Sequence, residues 1–252
     1  MLLAFAGVLQ AEQRPVLSLV VDDLGYSLEN GLAAIELNGD HTYAILPGAN
    51  YSRKLARRAH DLRKEVILHL PMQSIRSTAA HEHNALNEAM NEDELTANVH
   101  SLLAEIPGIR GVNNHMGSHL TEFDFFMRPV MDSIRGYDAR LYFLDSRTSP
   151  RSVAHAQALD AGLNSISRDV FLDNESNIES IRLQLQIWLA TARNRGSAIA
   201  IGHPYSTTLE VLREALPEVA AEFDFMRISR LIEERKLRGF SEDWRDLQAV
   251  AQ

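Results

Sequence analysis

The sequence contains no cysteine among its 252 residues. This absence excludes thiol nucleophiles, disulfide bonds and cysteine-ligated zinc sites. Basic residues are also in the minority, since 25 Lys and Arg stand against 34 Asp and Glu, which gives a net charge of -9. Proteins that bind nucleic acids usually carry a basic surface, so we expect no nucleic-acid partner.

Long hydrophobic runs are also missing. No run beyond the N-terminus approaches the roughly 20 apolar residues that span a bilayer, so we predict no transmembrane segment. Residues 1–14 combine a short apolar run with small residues, but they lack the basic start of a secretory signal. We predict that this stretch is a signal remnant or a disordered segment, and that the protein is periplasmic or secreted. The alternative is a first strand or helix of the domain. The domain itself is predicted at 15–235 and a C-terminal tail at 236–252.

Several catalytic motifs do not occur. The sequence has neither the G-x-x-x-x-G-K-[ST] phosphate loop nor the G-x-G-x-x-G dinucleotide fingerprint. It also has no G-x-S-x-G nucleophile elbow, which the segment MGSHL around Ser118 resembles only superficially. Nucleotide-dependent chemistry and a serine hydrolase mechanism are therefore both disfavoured.

What the chain does contain is a regular alternation of short apolar runs and longer amphipathic segments. Strands are predicted at 16–21, 42–46, 65–70, 109–114, 140–145, 164–169 and 198–202, with an eighth at 223–229. Helices are predicted at 52–64, 91–106, 122–136, 152–162, 177–195 and 207–223. Such alternation indicates βαβ units around a parallel sheet. About seven units in a chain of this length predict a distorted (β/α) barrel, with a doubly wound open sheet as the alternative.

Charged and polar side chains follow most of the predicted strands at their carboxyl ends. Taken singly, each has a structural explanation, because acids after a strand often cap the next helix. In a parallel barrel, however, these ends converge on one mouth, where active sites lie. The convergence therefore predicts an active site built from Asp22, Asp23, His69, Asn114, His115, His119, Asp145, Arg147, Asp173 and His203.

Carboxylates and imidazoles without thiols are a donor set for a divalent metal such as zinc. Catalytic zinc sites use three protein ligands and leave one position for water, whose pKa the metal lowers towards about 7. A second acid can then accept a proton from the water, and a histidine can protonate the leaving group. The composition of the predicted site therefore favours a metal-dependent hydrolase.

The segments VVDDLGYS, GVNNHMGSHLTE, FLDSRTS, SRDVFLDN and AIAIGHPY resemble the divergent polysaccharide deacetylases of the YibQ type. The resemblance covers residues 15–231. This family is distantly related to the NodB-like carbohydrate esterases. The resemblance implies a NodB-like distorted barrel of about seven parallel strands. It also implies a zinc-dependent enzyme that removes acetyl groups from a polysaccharide substrate.

The resemblance also implies individual roles. Asp22 takes the place of the catalytic base, and Asp23 takes the place of a metal ligand. His69 falls where the main family has its first metal-binding histidine, and His203 in the segment GHP resembles the histidine that acts as general acid.

The sequence departs from the main family at Gln73, four residues after His69, where a second metal-binding histidine is usual. We predict that His115 replaces it, and we rank His119 below His115. The residues that remain, Asn114, Asp145, Arg147 and Asp173, are expected to orient ligands or bind substrate, although Asp145 could also bind metal.

Two other functions stay open at the level of sequence. The departure at Gln73 is compatible with a noncatalytic glycan-binding or envelope-assembly module on a degenerate deacetylase scaffold. A phosphoesterase on the same frame is a further alternative, although the acidic net charge disfavours anionic substrates.

Overall fold

The computed structural model describes residues 14–76 and 84–237. Apart from Arg14, the predicted signal remnant lies outside the described residues, and so does the predicted tail beyond residue 237. Within the described ranges, no helix combines the length and the apolar character that crossing a membrane requires.

Strands and helices alternate along the described part of the chain. The strands are β1 (Val16–Leu24), β2 (Thr42–Ile45), β3 (Glu65–Met72), β4 (Gly111–Met116), β5 (Tyr142–Asp145), β6 (Asn164–Ser167), β7 (Val170–Phe171), β8 (Ser197–Gly202) and β9 (Asp224–Phe225). The helices are α1 (Leu28–Ile35), α2 (Ser52–Asp61), α3 (Glu92–Glu105), α4 (Asp124–Tyr137), α5 (Ala154–Asp160), α6 (Ile178–Arg195), α7 (Ser206–Val219) and α8 (Ile228–Leu237).

The strands form one parallel sheet in the order β6-β5-β4-β3-β2-β1-β8-β7, and β9 pairs with the start of β1. Its two end strands, β6 and β7, are joined by only Arg168 and Asp169. The N–H of Arg168 donates to the carbonyl of Asp145 in β5, and the N–H of Asp169 donates to the carbonyl of Ile199 in β8. The chain thus passes directly from one edge of the sheet to the other, which requires the sheet to curl. The predicted distorted barrel is confirmed, and the open doubly wound sheet is not formed.

Both faces of the sheet are apolar, as parallel strands require. On β1, Leu17, Leu19 and Val21 pack in the cluster beneath the surrounding helices. Val16 and Val20 point the other way, into a second cluster inside the barrel. Helix α8 contributes three side chains to that inner cluster, Ile228, Leu231 and Ile232. It therefore covers the barrel at the amino ends of the strands, opposite the carboxyl ends that carry the polar residues.

Three elements differ from prediction. Helix α1 was not predicted; it begins at the N-cap Ser27, whose hydroxyl accepts the N–H of Asn30. The strand predicted at 223–229 is only two residues long, because α8 begins at Ile228. The strand predicted at 164–169 ends at Ser167, where the chain crosses to the other sheet edge.

Two glycines near the mouth give a prediction about stability. Gly25 has φ 144°, and a Cβ there would lie 2.8 Å from the side chains of Ala49 and Ser52. Gly48 has φ 72° but nothing within 4 Å of a Cβ. We expect Gly48→Ala to lower the free energy of unfolding by about 1–2 kcal/mol through backbone strain alone. Gly25→Ala should lower it by roughly 1–3 kcal/mol more, through overpacking. Urea unfolding of both variants checks this; equal losses would contradict it.

Candidate metal centre

The two acids at the end of β1 do not alternate in direction as strand residues normally do. Asp23 has φ 57°, and the register between β1 and β2 shifts between Val21 and Leu24. A register shift of this kind is a β-bulge, which turns a side chain in a new direction. Both acids consequently approach the same imidazole: His69 Nε2 lies 3.6 Å from Asp22 Oδ2 and 3.2 Å from Asp23 Oδ1.

Three donor atoms from three strands form a compact triangle. Asp23 Oδ1 lies 3.2 Å from His69 Nε2 and 3.0 Å from His115 Nδ1, and the two nitrogens are 3.1 Å apart. Among the described residues, this is the one group of three or more His, Asp or Glu side chains that could hold a metal ion.

Two features of the triangle itself fit a metal ion, whatever family the protein resembles. Asp23 Oδ1 is buried and has no hydrogen bond, and its close contacts are with the ring nitrogens of His69 and His115. Buried carboxylate oxygens are normally paired, so this oxygen has the environment of a ligand atom. Two ligands about 2.0–2.1 Å from a tetrahedral zinc lie roughly 3.3 Å apart. The sides of the triangle are close to that value.

Asn113 sets the tautomer of His69, and sequence reasoning did not select it as a site residue. The Nδ1–H of His69 donates to Asn113 Oδ1 at 2.8 Å, which leaves Nε2 with its lone pair towards the triangle. The amide of Asn113 donates to Asp22 Oδ1 at 2.8 Å and to Ser146 Oγ at 3.2 Å. The sequence does contain a pattern that could have identified Asn113. Residues two apart on a strand lie on the same face, as Asn113 and His115 do.

This arrangement predicts a measurable effect of Asn113. We expect Asn113→Leu to weaken zinc binding about 10- to 100-fold, the usual effect of losing a partner of a ligating histidine. The neighbouring Asn114→Leu is the matched control. Asn114 is also buried, but its side-chain oxygen accepts the N–H of Ser146 and its side-chain nitrogen donates to Met116 O and Thr148 Oγ1. It bonds none of the three side chains of the triangle. Zinc titration of both variants checks this; equal losses would rule out the orienting role.

His203 lies beside the triangle and is held by Asp173. Its Nδ1 lies 2.9 Å from Asp173 Oδ1, and its backbone N–H donates to Asp173 Oδ2 at 2.7 Å. The hydroxyl of Thr208 donates to the same oxygen. The other ring nitrogen, Nε2, lies 3.8 Å from Asp23 Oδ2. Asp173, predicted to orient ligands or bind substrate, thus orients His203.

The charges around the site separate the roles of the two adjacent acids. Burial raises the pKa of Asp22, although His69 and His203 act in the opposite direction. Burial also acts to raise the pKa of Asp23, but the close approach of His115 and His69 outweighs it and holds that pKa below its ordinary value. Asp23 therefore keeps the negative charge that a metal ligand needs, whereas Asp22 is the acid better suited to accept a proton.

The pKa of His203 is raised for a related reason. Burial acts to lower it, but the hydrogen bond to Asp173 and the negative charges of Asp173, Asp22 and Asp23 prevail. A histidine in this position can carry a proton and give it up to a leaving group.

Asp145, predicted to orient a ligand or bind metal, instead bonds groups of the loop that follows β5. Asp145 Oδ1 accepts the backbone N–H of Arg147 at 2.8 Å, and Oδ2 accepts the hydroxyl of Ser152 at 2.8 Å. Asp145 is therefore not in the metal-ligating group, and it fixes the loop after β5. The guanidinium of Arg168 donates to the carbonyls of Ser146 and Arg147 in the same loop. Arg168 was not among the site residues predicted from the sequence.

His119 and Gln73 are both engaged away from the triangle. His119 Nε2 lies 2.8 Å from Glu88 Oε2. Gln73 Oε1 accepts the N–H of Glu88 at 2.9 Å. Among the described residues, the group that could hold a metal ion therefore includes His115, which was ranked above His119, and does not include His119.

Fold and site together define a class, the curled parallel (β/α) barrels of NodB-like type with an Asp-His-His cluster at the strand ends. The family model of the divergent polysaccharide deacetylases matches residues 19–232, and the chain belongs to this family. The resemblance inferred from the sequence motifs is therefore confirmed.

Among its relatives, the uncharacterized protein YibQ of Escherichia coli K12 is 36% identical over 236 residues, 92% of this chain and 73% of that protein. A crystal structure of an uncharacterized protein from Agrobacterium tumefaciens C58 superposes with a TM-score of 0.82 at 22% identity, over 88% and 90% of the two chains. The peptidoglycan deacetylase PdaC of Bacillus subtilis superposes with a TM-score of 0.50 at 15% identity, over 92% and 97%. At these identities the structural likenesses show the fold alone.

Proposed function

We propose that the protein is a metal-dependent hydrolase that removes acetyl groups from a polysaccharide of the cell envelope. Membership of the polysaccharide deacetylase family supports the substrate class. The observation that carries the proposal is the triangle of Asp23, His69 and His115 with Asp22 and His203 beside it.

Asp23, His69 and His115 would hold a divalent ion, and their mixed oxygen and nitrogen donors suit zinc. Such an ion, when bound, supplies Lewis-acid polarisation of a carbonyl and lowers the pKa of water. The missing histidine at Gln73 motivated the noncatalytic alternative. His115 offers a second imidazole from the neighbouring strand, which supports the metal-dependent enzyme over the noncatalytic alternative.

Hydrolysis needs one group that accepts a proton and one that donates a proton, and Asp22 and His203 beside the triangle take these two roles. Asp22 accepts a proton from the attacking water, and its hydrogen bond from Asn113 keeps the carboxylate in place. The water oxygen bonds to the acetyl carbon, and the bond from that carbon to the sugar nitrogen or oxygen breaks. His203, held at Nδ1 by Asp173, delivers a proton from Nε2 to the departing amine or alkoxide. The products are acetate and the deacetylated sugar.

Metal removal tests this function directly. We expect chelator-treated protein to release no acetate from N-acetylated peptidoglycan or O-acetylated polysaccharide, and added zinc to restore the release. Acetate measured enzymatically is the readout, and unchanged folding by circular dichroism is the control. Full activity of demonstrably metal-free protein would overturn the proposal.

We extend the proposal to a periplasmic or secreted location, which an envelope substrate and the apolar start of the sequence support. Fractionation of cells that express the full-length protein checks it. Recovery in the cytoplasmic fraction alone would contradict this location.

A further inference from the structure

A cavity of about 310 Å³ opens at the amino end of the barrel, opposite the end that carries the metal centre. Its walls come from the segment between α2 and β3, from the residue before β4 and from the start of α8. The charged residues that line it are Arg63, Lys64, Glu65, Arg110 and Arg227. None of them belongs to the site described above, so the cavity has no role in the proposed hydrolysis.

The charge of this cavity is opposite to that of the protein as a whole. Four of its five charged lining residues are cationic, whereas the chain has 34 acidic residues against 25 basic ones. The one acid, Glu65, is buried. Its Oε1 accepts the hydroxyls of Thr42 and Tyr142 and the backbone N–H of Ser229. A single carboxylate with three donors of its own does not account for four cations.

Two of the four cations are held in place by the fold. Lys64 is half-buried, and its ammonium group donates to the carbonyl of Gly39. A carbonyl carries no net charge, so this bond does not neutralise Lys64. The guanidinium of Arg227 pairs with Asp40 at 2.7 Å and donates to the carbonyl of Arg63 at 3.0 Å. These contacts fix two positive charges at the wall of the cavity.

The other two cations, Arg63 and Arg110, are exposed. The side chain of neither forms a hydrogen bond or an ion pair with any residue that the structure describes. The five N–H donors of each guanidinium are therefore available to a ligand. Arginine forms paired hydrogen bonds to two oxygens of a phosphate, and such charge-assisted bonds are about twice as strong as neutral ones.

Arg63 also occupies a backbone position that normally favours glycine. Helix α2 ends in a Schellman motif, in which the N–H of Arg63 donates to His60 O at 2.8 Å and the N–H of Lys64 donates to Ala59 O at 2.9 Å. The motif places Arg63 in the left-handed region, with φ 57°. A side chain strains the backbone there, so the helix end does not explain the arginine. Backbone strain of this kind clusters at functional sites.

A second cavity, of about 330 Å³, adjoins the first and shares Gly108 and Arg110 with it. The apolar residues that line it are Leu103, Ile106, Ile109 and Leu141. Tyr137 also lines this second cavity. Each cavity alone is within the range of small-molecule sites. A ligand therefore has room for an anionic group beside Arg63 and Arg110 and for a less polar part beside Tyr137.

We propose that the cavity at the amino end of the barrel binds a phosphate group, carried by a small solute or by a lipid head group. Arg63 and Arg110 are its main contacts, and Lys64 and Arg227 add positive charge behind them. A carboxylate carries one negative charge, whereas a phosphate monoester carries about 1.5 to 2 at pH 7 and offers three strong acceptor oxygens. Phosphate therefore matches four cations better. This site is independent of the metal centre and of the proposed hydrolase activity.

Calorimetric titration of the full chain with inorganic phosphate and with glycerol 3-phosphate tests the site. The titrations are made at constant low ionic strength, because salt screens exposed charges. We expect saturable binding, which Arg110→Gln and Arg63→Gly should each weaken about 3- to 10-fold. Arg63→Gly should also unfold at a higher urea concentration than the parent, because glycine relieves the strain at the helix end. Weaker binding by a more stable variant cannot be a consequence of misfolding.

Arg57→Gln is the matched control, because Arg57 is an exposed arginine of α2 that does not line the cavity. It should bind phosphate as the parent does. Cosedimentation with phosphatidylglycerol vesicles distinguishes the two sources of the phosphate group. If a lipid supplies it, the protein should sediment with the vesicles, and Arg110→Gln should sediment less. If a small solute supplies it, glycerol 3-phosphate should bind and the vesicles should not.

Two results would overturn the inference. The first is the absence of saturable binding to inorganic phosphate, glycerol 3-phosphate and the vesicles alike. The second is binding that Arg63→Gly and Arg110→Gln both leave unchanged, since the phosphate would then lie elsewhere, for example at the metal centre.

Discussion

Replacing Asp22 by asparagine should reduce kcat for acetate release about 10²- to 10⁴-fold, the range that general-base catalysis contributes. The side chain is buried and lies 3.6 Å from His69 Nε2, beside the triangle but outside it. Its pKa is raised by burial, which makes the carboxylate a better proton acceptor. Asparagine cannot accept that proton, but its carbonyl can still accept the hydrogen bond from Asn113.

The same variant should retain zinc, because the three ligating side chains are unchanged. The measurement is therefore double: turnover by acetate release, and metal content of the same sample by mass spectrometry. Asp40→Asn is the matched control, since Asp40 pairs with Arg227 at the amino end of the barrel and should leave kcat unaltered. A kcat of Asp22→Asn within a few-fold of the parent would refute the base. Loss of zinc would show that Asp22 is itself a ligand.

The barrel was predictable because its signals are local. Continuous apolar strands such as β1 and β3 indicate parallel pairing, and the helices between them have clear amphipathic patterns. The closure was not predictable, because it depends on a crossing of two residues, Arg168 and Asp169, between distant strands. Helix α8 was missed although Ile228, Leu231 and Ile232 have helical spacing. The apolar run just before it favoured a strand.

For the site, the sequence predicted which residues come together better than it predicted which groups each of them bonds. Convergence of strand ends brought together Asp22, Asp23, His69, His115 and His203, as the geometry has them. The partners of these residues depend on side-chain direction, which the sequence does not show. Asn113 orients His69, and Asp145 bonds the backbone N–H of Arg147.

Which of His115 and His119 completes the triangle also depends on side-chain direction. Alanine variants of the two histidines can therefore be compared directly. His115 lies in β4 and His119 follows it, and their i, i+4 spacing suits a metal site on a helix. The chain is not helical there: β4 ends at Met116, with φ 53°, and a turn follows before Leu120. The turn carries His119 to Glu88, while His115 stays with Asp23 and His69.

His115→Ala should therefore weaken zinc binding by more than roughly 100-fold, beyond the 10- to 100-fold effect of losing an outer partner, because it removes a direct ligand. Acetate release at limiting zinc should fall with it. His119→Ala is the matched control and should bind zinc as the parent does, since its imidazole pairs with Glu88 outside the triangle. Competition with a chromophoric chelator gives both affinities. If His119→Ala lost zinc and His115→Ala kept it, the triangle would not be the metal centre. If both lost it, the ligands would extend beyond the triangle.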